Sequence, residues 1–154
     1  MTNDIERVLE TAFADVSRPG ETELRVFEGT EEKIDTAPFE NKAWQSIDTE
    51  TIVQHYCALY WFTPEAFLYY LPSFLRAGIN SPQALHVITV LQLLEPTQDS
   101  TLAQFRRERW RLLSDGHNRA LDAWLSSLEA QARPSQKGEF EDALRVVRER
   151  YWSR

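Results

Sequence analysis

Residues 61–75 read WFTPEAFLYYLPSFL, and this stretch decides how the rest of the chain must fold. It contains six aromatic side chains and two of the seven prolines in the chain. Large aromatic side chains dominate the energetics of cores and interfaces, so neighbouring elements or a partner must cover the stretch. We therefore expect residues 61–75 to lie at the centre of the fold, with the other elements packed around them.

Local signals within the stretch predict a helix that starts at Pro64. Thr63 is a good N-cap, and Pro64 needs no amide hydrogen bond at the first helical position. Pro72 cannot donate to the carbonyl of Leu68, which predicts a kink or a restart of the helix at that point. Such a kink either bends an aromatic helix around the core or opens an aromatic pocket for a small ligand. The candidate ligand-binding residues are Trp61, Glu65, Tyr69 and Tyr70.

Hydrophobic periodicity predicts further helices on both sides of this stretch. The predicted helices cover residues 5–16, 49–60, 82–95, 101–113, 115–128 and 140–151. Asp48, Ser81 and Ser114 are suitable N-caps for three of them, and residues 133–138 are predicted to form a linker. The sequence thus predicts an all-α, single-domain bundle over residues 1–154 with about six or seven helices.

Residues 20–43 show no clear hydrophobic period. Gly29, Pro38 and a polar, acidic composition predict a long irregular loop, and a short strand at residues 24–27 is the alternative near its start. A loop of this length is uncommon inside a compact domain, so we expect it to be functional, mobile or pinned by apolar anchors. The candidate anchors are Phe27, Ile34 and Phe39.

The composition is typical of one globular domain, with 154 residues of which 42% are hydrophobic and 27% charged. The single cysteine, Cys57, excludes an internal disulfide framework and a multi-cysteine zinc cluster, and is typical of a reducing compartment. No apolar stretch approaches the roughly 20 residues of a membrane span, and the acidic start lacks the pattern of a signal peptide. These observations predict a cytoplasmic protein with no membrane partner.

The net charge of -7 is unevenly distributed along the chain. Residues 1–60 carry 13 acidic and 5 basic side chains, whereas residues 106–154 carry 8 acidic and 11 basic ones. An acidic surface can steer association with a basic partner, although mixed charge of this kind also serves solubility. The candidate partner-binding residues are Glu21, Glu23, Glu28, Glu31, Glu32 and Asp35.

Motifs that carry metal or catalytic chemistry are absent from the sequence. It contains no His-Glu-x-x-His pair, no calcium-binding loop, no glycine-rich phosphate loop and no nucleophile elbow. Cys57 has no Lys or Arg nearby in the sequence to lower its pKa, which favours an ordinary thiol over a nucleophile. We therefore expect neither a metal nor a cofactor, and an enzyme only if its site is assembled from distant residues.

Two segments combine arginine with aromatic residues, namely RRERWR at 106–111 and RVVRERYWSR at 145–154. Such residues can pair with phosphates and stack on bases. However, the chain as a whole is acidic, with a pI of about 5.0, and Glu108 and Glu149 interrupt the two runs. Solvated helix faces with salt bridges are the favoured interpretation, and nucleic acid is not an expected partner.

A longer pattern links the aromatic stretch to residues on both sides. Its first block consists of Trp44 and Ile47, then FTPEAF at 62–67, YYLP at 69–72 and FL at 74–75. Its second block consists of LLS at 112–114 with Ala120, Trp124 and Leu125. Over residues 44–128 this pattern resembles a family of small bacterial domains of unknown function, with His117 near a position where the family has Gln. The resemblance implies a mainly helical bacterial protein that acts through protein contacts, with no activity, cofactor or catalytic residue to carry over.

These observations give three functional hypotheses from different classes. The leading one is a protein-interaction domain, of immunity or adaptor type, whose acidic N-terminal residues meet a basic partner. The second is a small-ligand-binding domain with an aromatic pocket near Trp61, Tyr69 and Tyr70. The third is an enzyme, which would require at least two titratable side chains that converge in a cleft.

Overall fold

The computed structural model describes the backbone of residues 2–20, 23–26 and 28–152. These ranges contain nine α-helices, short 3-10 turns at Ala37–Phe39 and Trp44–Ser46, and no strand. The helices are α1 (Thr2–Ala12), α2 (Thr30–Thr36), α3 (Thr49–Gln54), α4 (Ala58–Trp61), α5 (Pro64–Gly78), α6 (Leu85–Leu94), α7 (Ser100–Trp110), α8 (Asp115–Gln131) and α9 (Pro134–Trp152). The predicted all-α class is therefore confirmed.

α5 is the central element, as expected for the aromatic stretch. The Thr63 side chain accepts a hydrogen bond from the Ala66 amide at 3.2 Å and so caps the helix. Every residue from 69 to 75 is buried. An aromatic cluster against this helix consists of Phe39, Phe62, Tyr70 and Phe74. Its ring centroids lie 5.1–6.4 Å apart, in the range of favourable aromatic packing.

Pro72 lies inside α5, and the helix runs through it, so the predicted restart does not occur. Neighbouring contacts hold the backbone in place. The Ser73 hydroxyl donates to the Trp44 carbonyl at 2.7 Å, and the Arg76 guanidinium donates to the Ile47 carbonyl at 2.6 Å. These tertiary contacts, made by residues that follow Pro72 in the helix, therefore offset the one hydrogen bond that Pro72 removes.

The other helices pack around α5. Helices α1, α3, α6 and α7 contact it directly, and α8 packs along both α9 and α1. The Trp124 indole N–H of α8 donates to the Leu75 carbonyl of α5 at 2.6 Å. At Gly78, an added Cβ would lie 2.6 Å from Val87 Cγ2. The absence of a side chain at Gly78 thus lets α5, α6 and α8 meet at one tight junction.

The segment predicted to be an irregular loop contains α2 and the 3-10 turn Ala37–Phe39, so the loop prediction is wrong for residues 30–39. Hydrophobic periodicity gave no signal for α2 because the helix is short and largely exposed. Its acidic first turn, with Glu31 and Glu32, favours helix formation through the helix dipole instead.

The structure bears differently on the strand and on the apolar anchors predicted within residues 20–43. The alternative of a short strand at residues 24–27 is reduced to an isolated bridge between Arg25 and Phe62. Phe39 is fully buried, whereas Ile34 is 59% exposed, so the anchor role predicted for Ile34 is wrong. Phe27 lies outside the described residues.

Other helix boundaries also differ from the prediction, and α1 ends at Ala12 where the predicted helix continued to residue 16. The helix predicted over residues 49–60 is split into α3 and α4, because His55 leaves helical geometry with φ -123° and ψ 39°. Ser81 and Pro82 lie in turns, and α6 begins only at Leu85. The linker predicted over residues 133–138 is the first part of α9, since Pro134 is well suited to the first turn of a helix.

Candidate functional site

The acidic segment, defined here as residues 23–26 and 28–36, carries most of the predicted partner-binding residues. It ends in α2, whose N-cap is Gly29. The Glu32 carboxylate folds back over Gly29, where a Cβ would clash with it. Glycine at this position therefore leaves room for an acidic side chain at the positive end of the helix dipole.

Arg25 holds the acidic segment in one shape. Its guanidinium donates to the Thr36 hydroxyl at 2.7 Å, to Glu28 at 3.4 Å and to Glu40. The Arg25 side chain is only 10% exposed, so these interactions are less screened than those of a surface pair. The two ends of the segment are thereby connected through one side chain.

The backbone of the acidic segment is also joined to the start of α5. The Val26 amide donates to the Trp61 carbonyl at 2.8 Å, and the Thr63 amide donates to the Leu24 carbonyl at 3.1 Å. These bonds pair the segment with the connection between α4 and α5. The segment is consequently part of the packed structure.

The structure divides the predicted partner-binding residues into two groups. Glu23 and Glu31 are exposed, and neither forms an ion pair with any described residue. Glu28 pairs with Arg25 and, at 3.6 Å, with Lys33. The first group is therefore available to a partner, whereas the charge of Glu28 is partly compensated.

Asp35 faces inward, and Glu21 lies outside the described residues. The Asp35 carboxylate accepts a hydrogen bond from the Trp61 indole N–H at 3.1 Å and lies 3.7 Å from His55 Nδ1. These contacts connect α2 to α4 and to the break between α3 and α4. We therefore assign Asp35 a positioning role in the segment.

Apolar side chains are exposed on the same segment. Ile34 is 59% exposed and Val26 is 44% exposed. Ile34 lies one helical turn from Glu31, so the two side chains are neighbours on the surface of α2. Single exposed apolar residues are common, and Ile34 lies beside a carboxylate that forms no ion pair with a described residue.

The predicted ligand-binding residues are not brought together in one pocket. The Tyr70 hydroxyl shares its one proton between the carbonyls of Phe39 at 2.6 Å and Lys42 at 2.8 Å, and burial raises the pKa of Tyr70 to about 12. Tyr69 is buried, and its hydroxyl accepts from the Trp44 amide at 3.3 Å. Both tyrosines thus fasten residues 39–44 to α5.

Trp61 and Glu65 lie apart from the buried tyrosine rings. Trp61 is half-buried and bonds to Asp35 of the acidic segment. Glu65 is exposed in the first turn of α5, where the helix dipole favours a negative charge.

Cys57 lies near the acidic segment and is half-buried. Burial raises the pKa of its thiol, and the nearby Asp35 and Glu31 carboxylates raise it further. The thiolate is the nucleophilic form of cysteine, so this environment disfavours reactivity. Within the described ranges, no three His, Cys, Asp or Glu side chains are grouped so that they could hold a metal ion.

Sequence reasoning missed the roles of Arg25 and Ile34. In the sequence, Arg25 is one of five basic residues among the first 60. Its position between Glu23 and Glu28 was the available signal, since a lone cation among carboxylates is a natural centre for ion pairs. No sequence signal distinguished an exposed Ile34 from a buried one.

The described helices define a mainly helical domain. The chain belongs to a family of unknown function, DUF6714, which matches residues 1–154. This assignment agrees with the expected small domain of unknown function and extends it to the whole chain. Comparison with curated proteins and with solved structures gave no match. None of the helices described has both the length and the apolar character to cross a bilayer.

Proposed function

We propose that this protein is a protein-interaction domain, of immunity or adaptor type, that binds a basic partner through the acidic segment. We propose further that it works in the bacterial cytoplasm, which the single cysteine and the sequence resemblance favour. The observation that carries the interaction proposal is the exposure of Glu31 and Ile34 on a helix that Arg25 holds in place.

Charge and apolar surface contribute differently to such a contact. Exposed carboxylates accelerate and orient the encounter with a basic protein. An apolar side chain that loses its water in the complex contributes to lasting affinity. Because Arg25 already fixes the shape of the segment, binding requires little ordering of the chain, which favours affinity further.

Paired charge variants test this proposal. The double variant E23Q/E31Q removes two exposed carboxylates from the acidic segment. The control E10Q/E141Q removes two exposed carboxylates from α1 and α9, with the same change in net charge. The partner is isolated by co-purification from the native host, and its dissociation constant is measured with each variant at about 0.05 M and 0.3 M salt.

We expect E23Q/E31Q to weaken binding about tenfold at low salt and less at high salt, because the lost attraction is screened there. The control is expected to bind as wild type does. The variant I34S reports the apolar contribution and is expected to weaken binding at both salt concentrations. A partner that binds E23Q/E31Q and wild type equally well, or no retained partner at all, would rule the proposal out.

The small-ligand alternative has weaker support. It requires accessible rings near Trp61, yet Tyr69 and Tyr70 are buried and their hydroxyls interact with backbone groups. The enzyme alternative requires convergent titratable groups in a cleft. The environment of Cys57, the candidate nucleophile, favours the protonated thiol instead.

A further inference from the structure

Two basic segments that are distant in the sequence line one groove. The groove has a volume of about 670 Å³ and lies between the end of α6, α7 and the C-terminal part of α9. It brings RRERWR of α7 next to the arginine-rich end of α9. Its size is within the roughly 300–1,000 Å³ typical of sites for small molecules.

The charge of this groove is opposite in sign to that of the whole chain. The charged lining residues are Arg106, Arg107, Arg111 and Arg150 with Glu95 and Glu149. Four arginines and two glutamates leave a formal charge of +2 in a chain of net charge -7. A concave surface with low-dielectric walls concentrates such a field and attracts anions.

The guanidinium of Arg106 is positioned before any ligand arrives. It donates to the backbone carbonyl of Glu95, which is a neutral acceptor, and its Nε is buried without a hydrogen-bond partner in the described structure. Arg107, the next residue, is exposed. Neither Arg106 nor Arg107 forms an ion pair with a described residue. Their charges therefore remain available to an external anion.

Arg150 forms the opposite wall of the groove. Its guanidinium donates to Asn118 Oδ1 at 2.6 Å through one terminal nitrogen and at 3.3 Å through Nε. Asn118 is fully buried and is itself oriented by a hydrogen bond to the Ser114 carbonyl at 3.0 Å. The Arg150 guanidinium also lies 5.1 Å from the centroid of the Trp110 ring. These contacts fix the direction in which Arg150 points.

Apolar side chains complete the groove. They are Leu93, Leu94, Pro96, Ala103, Trp110 and Val146. Trp110 is only 4% exposed, so its ring supports Arg150 and is not a surface for stacking bases. The groove therefore offers mainly aliphatic contacts beside its positive charges.

We propose that this groove binds a small molecule that carries a phosphate monoester on an apolar body. Arg106 and Arg107, which form no ion pair with a described residue, carry two positive charges that match the dianionic form of a phosphate monoester, whereas a single carboxylate would compensate only one of them. Guanidinium groups suit phosphate because they present several N–H donors in one plane. The aliphatic lining receives the apolar body.

Calorimetric titration of the full chain tests the proposal with phenyl phosphate, inorganic phosphate and phenol as probes. We expect saturable, single-site binding of phenyl phosphate, weaker binding of inorganic phosphate and no detectable binding of phenol. R107Q is expected to raise the dissociation constant for phenyl phosphate about tenfold, the effect of one lost charge-assisted hydrogen bond. R106Q/R107Q is expected to raise it further.

Arg133 provides the matched control, because it is exposed at the opposite end of α9 and R133Q changes the net charge equally. R133Q is expected to bind phenyl phosphate as wild type does. Circular dichroism checks the fold of each variant, and R107Q alone decides the question if R106Q/R107Q does not fold. The proposal is overturned by an absence of saturable binding, by equal affinity for phenol or inorganic phosphate, or by equal weakening in R133Q.

Discussion

At the scale of single residues, Arg109 is the most unusual side chain in the core. It is 2% exposed, and its terminal nitrogens donate to the carbonyls of Phe105 at 2.9 Å and Phe62 at 2.8 Å. Its guanidinium lies 3.5 Å from the centroid of the Phe105 ring. Burial lowers the pKa of Arg109 to about 10, so the side chain stays charged at neutral pH. Arg109 therefore links α7 to the turn that precedes α5.

We predict that R109Q destabilises the protein by about 2–4 kcal/mol, because it leaves the buried Phe62 carbonyl without its donor and opens space in the core. R107Q is the matched control on the same helix and is expected to change the free energy of unfolding by less than about 0.5 kcal/mol. Urea unfolding of both variants measures the difference. Equal stabilities would show that Arg109 makes no net contribution.

Residue-scale predictions from the sequence were best where the chemistry is local. Asp48, Thr63 and Ser114 were predicted as N-caps, and each accepts a hydrogen bond from the expected backbone amide. Arg109 could not be recognised in the same way. Its partners are 4 and 47 residues away, and nothing in RRERWR shows which of its arginines is buried.

At the scale of elements, the junction of α5, α6 and α8 depends on Gly78. Gly78 is the last residue of α5, and no described glycine has a positive φ. Its structural role is steric, because Val87 and Trp124 occupy the space that a side chain would need. Close helix packing therefore explains this glycine better than backbone freedom does.

Two glycine-to-alanine variants test this explanation. Alanine favours a helix over glycine by about 0.5–1 kcal/mol, so G138A in α9, where a Cβ meets no atom within 4 Å, is expected to stabilise the protein by that amount. G78A is expected to destabilise it by about 1–3 kcal/mol, because its Cβ would lie 2.6 Å from Val87 Cγ2. Thermal unfolding measures both changes in stability. If G78A and G138A shifted the unfolding temperature in the same direction, the steric role of Gly78 would be contradicted.

Element-scale predictions succeeded for helices with a clear apolar stripe. The cores of α1, α5, α7 and α8 were predicted at their observed places. α2 was missed because it buries little apolar surface, and the break near His55 was missed because apolar residues continue through it. In the acidic segment, sequence indicated the charge but not which carboxylates turn inward, since those contacts are long-range.

At the scale of the whole molecule, buried histidines connect stability to pH. His117 is 7% exposed, stacks on Phe13 of the turn after α1 at 4.5 Å, and accepts a hydrogen bond from the Ser114 amide at 3.0 Å. Burial lowers the pKa of His117, and it lowers that of His86 in α6 as well. The folded protein therefore favours the neutral form of both imidazoles more than the unfolded chain does.

The sign of the pH effect follows from this difference. As the pH falls below the ordinary histidine value of about 6.5, the unfolded chain binds protons first, so stability is complete above that pH and decreases below it. We predict that the urea concentration at the unfolding midpoint of wild type decreases as the pH is lowered from about 7.5 to about 5.5. H117Q, whose amide oxygen can still accept from Ser114, is expected to show a smaller fall. Identical profiles for the two proteins would contradict a contribution from His117.

The hydrogen bonds that attach residues 23–26 and 28–47 to the start and middle of α5 also bear on the order in which the chain folds. The Ser73–Trp44 bond spans 29 residues, and the bond from Thr63 to the Glu23 carbonyl spans 40. Contacts of this length close large loops, which slows their formation relative to the local bonds of a helix. Since their acceptors gain a partner only once α5 exists, we expect residues 23–26 and 28–47 to order late in folding. The acidic segment is then among the last parts of the molecule to form.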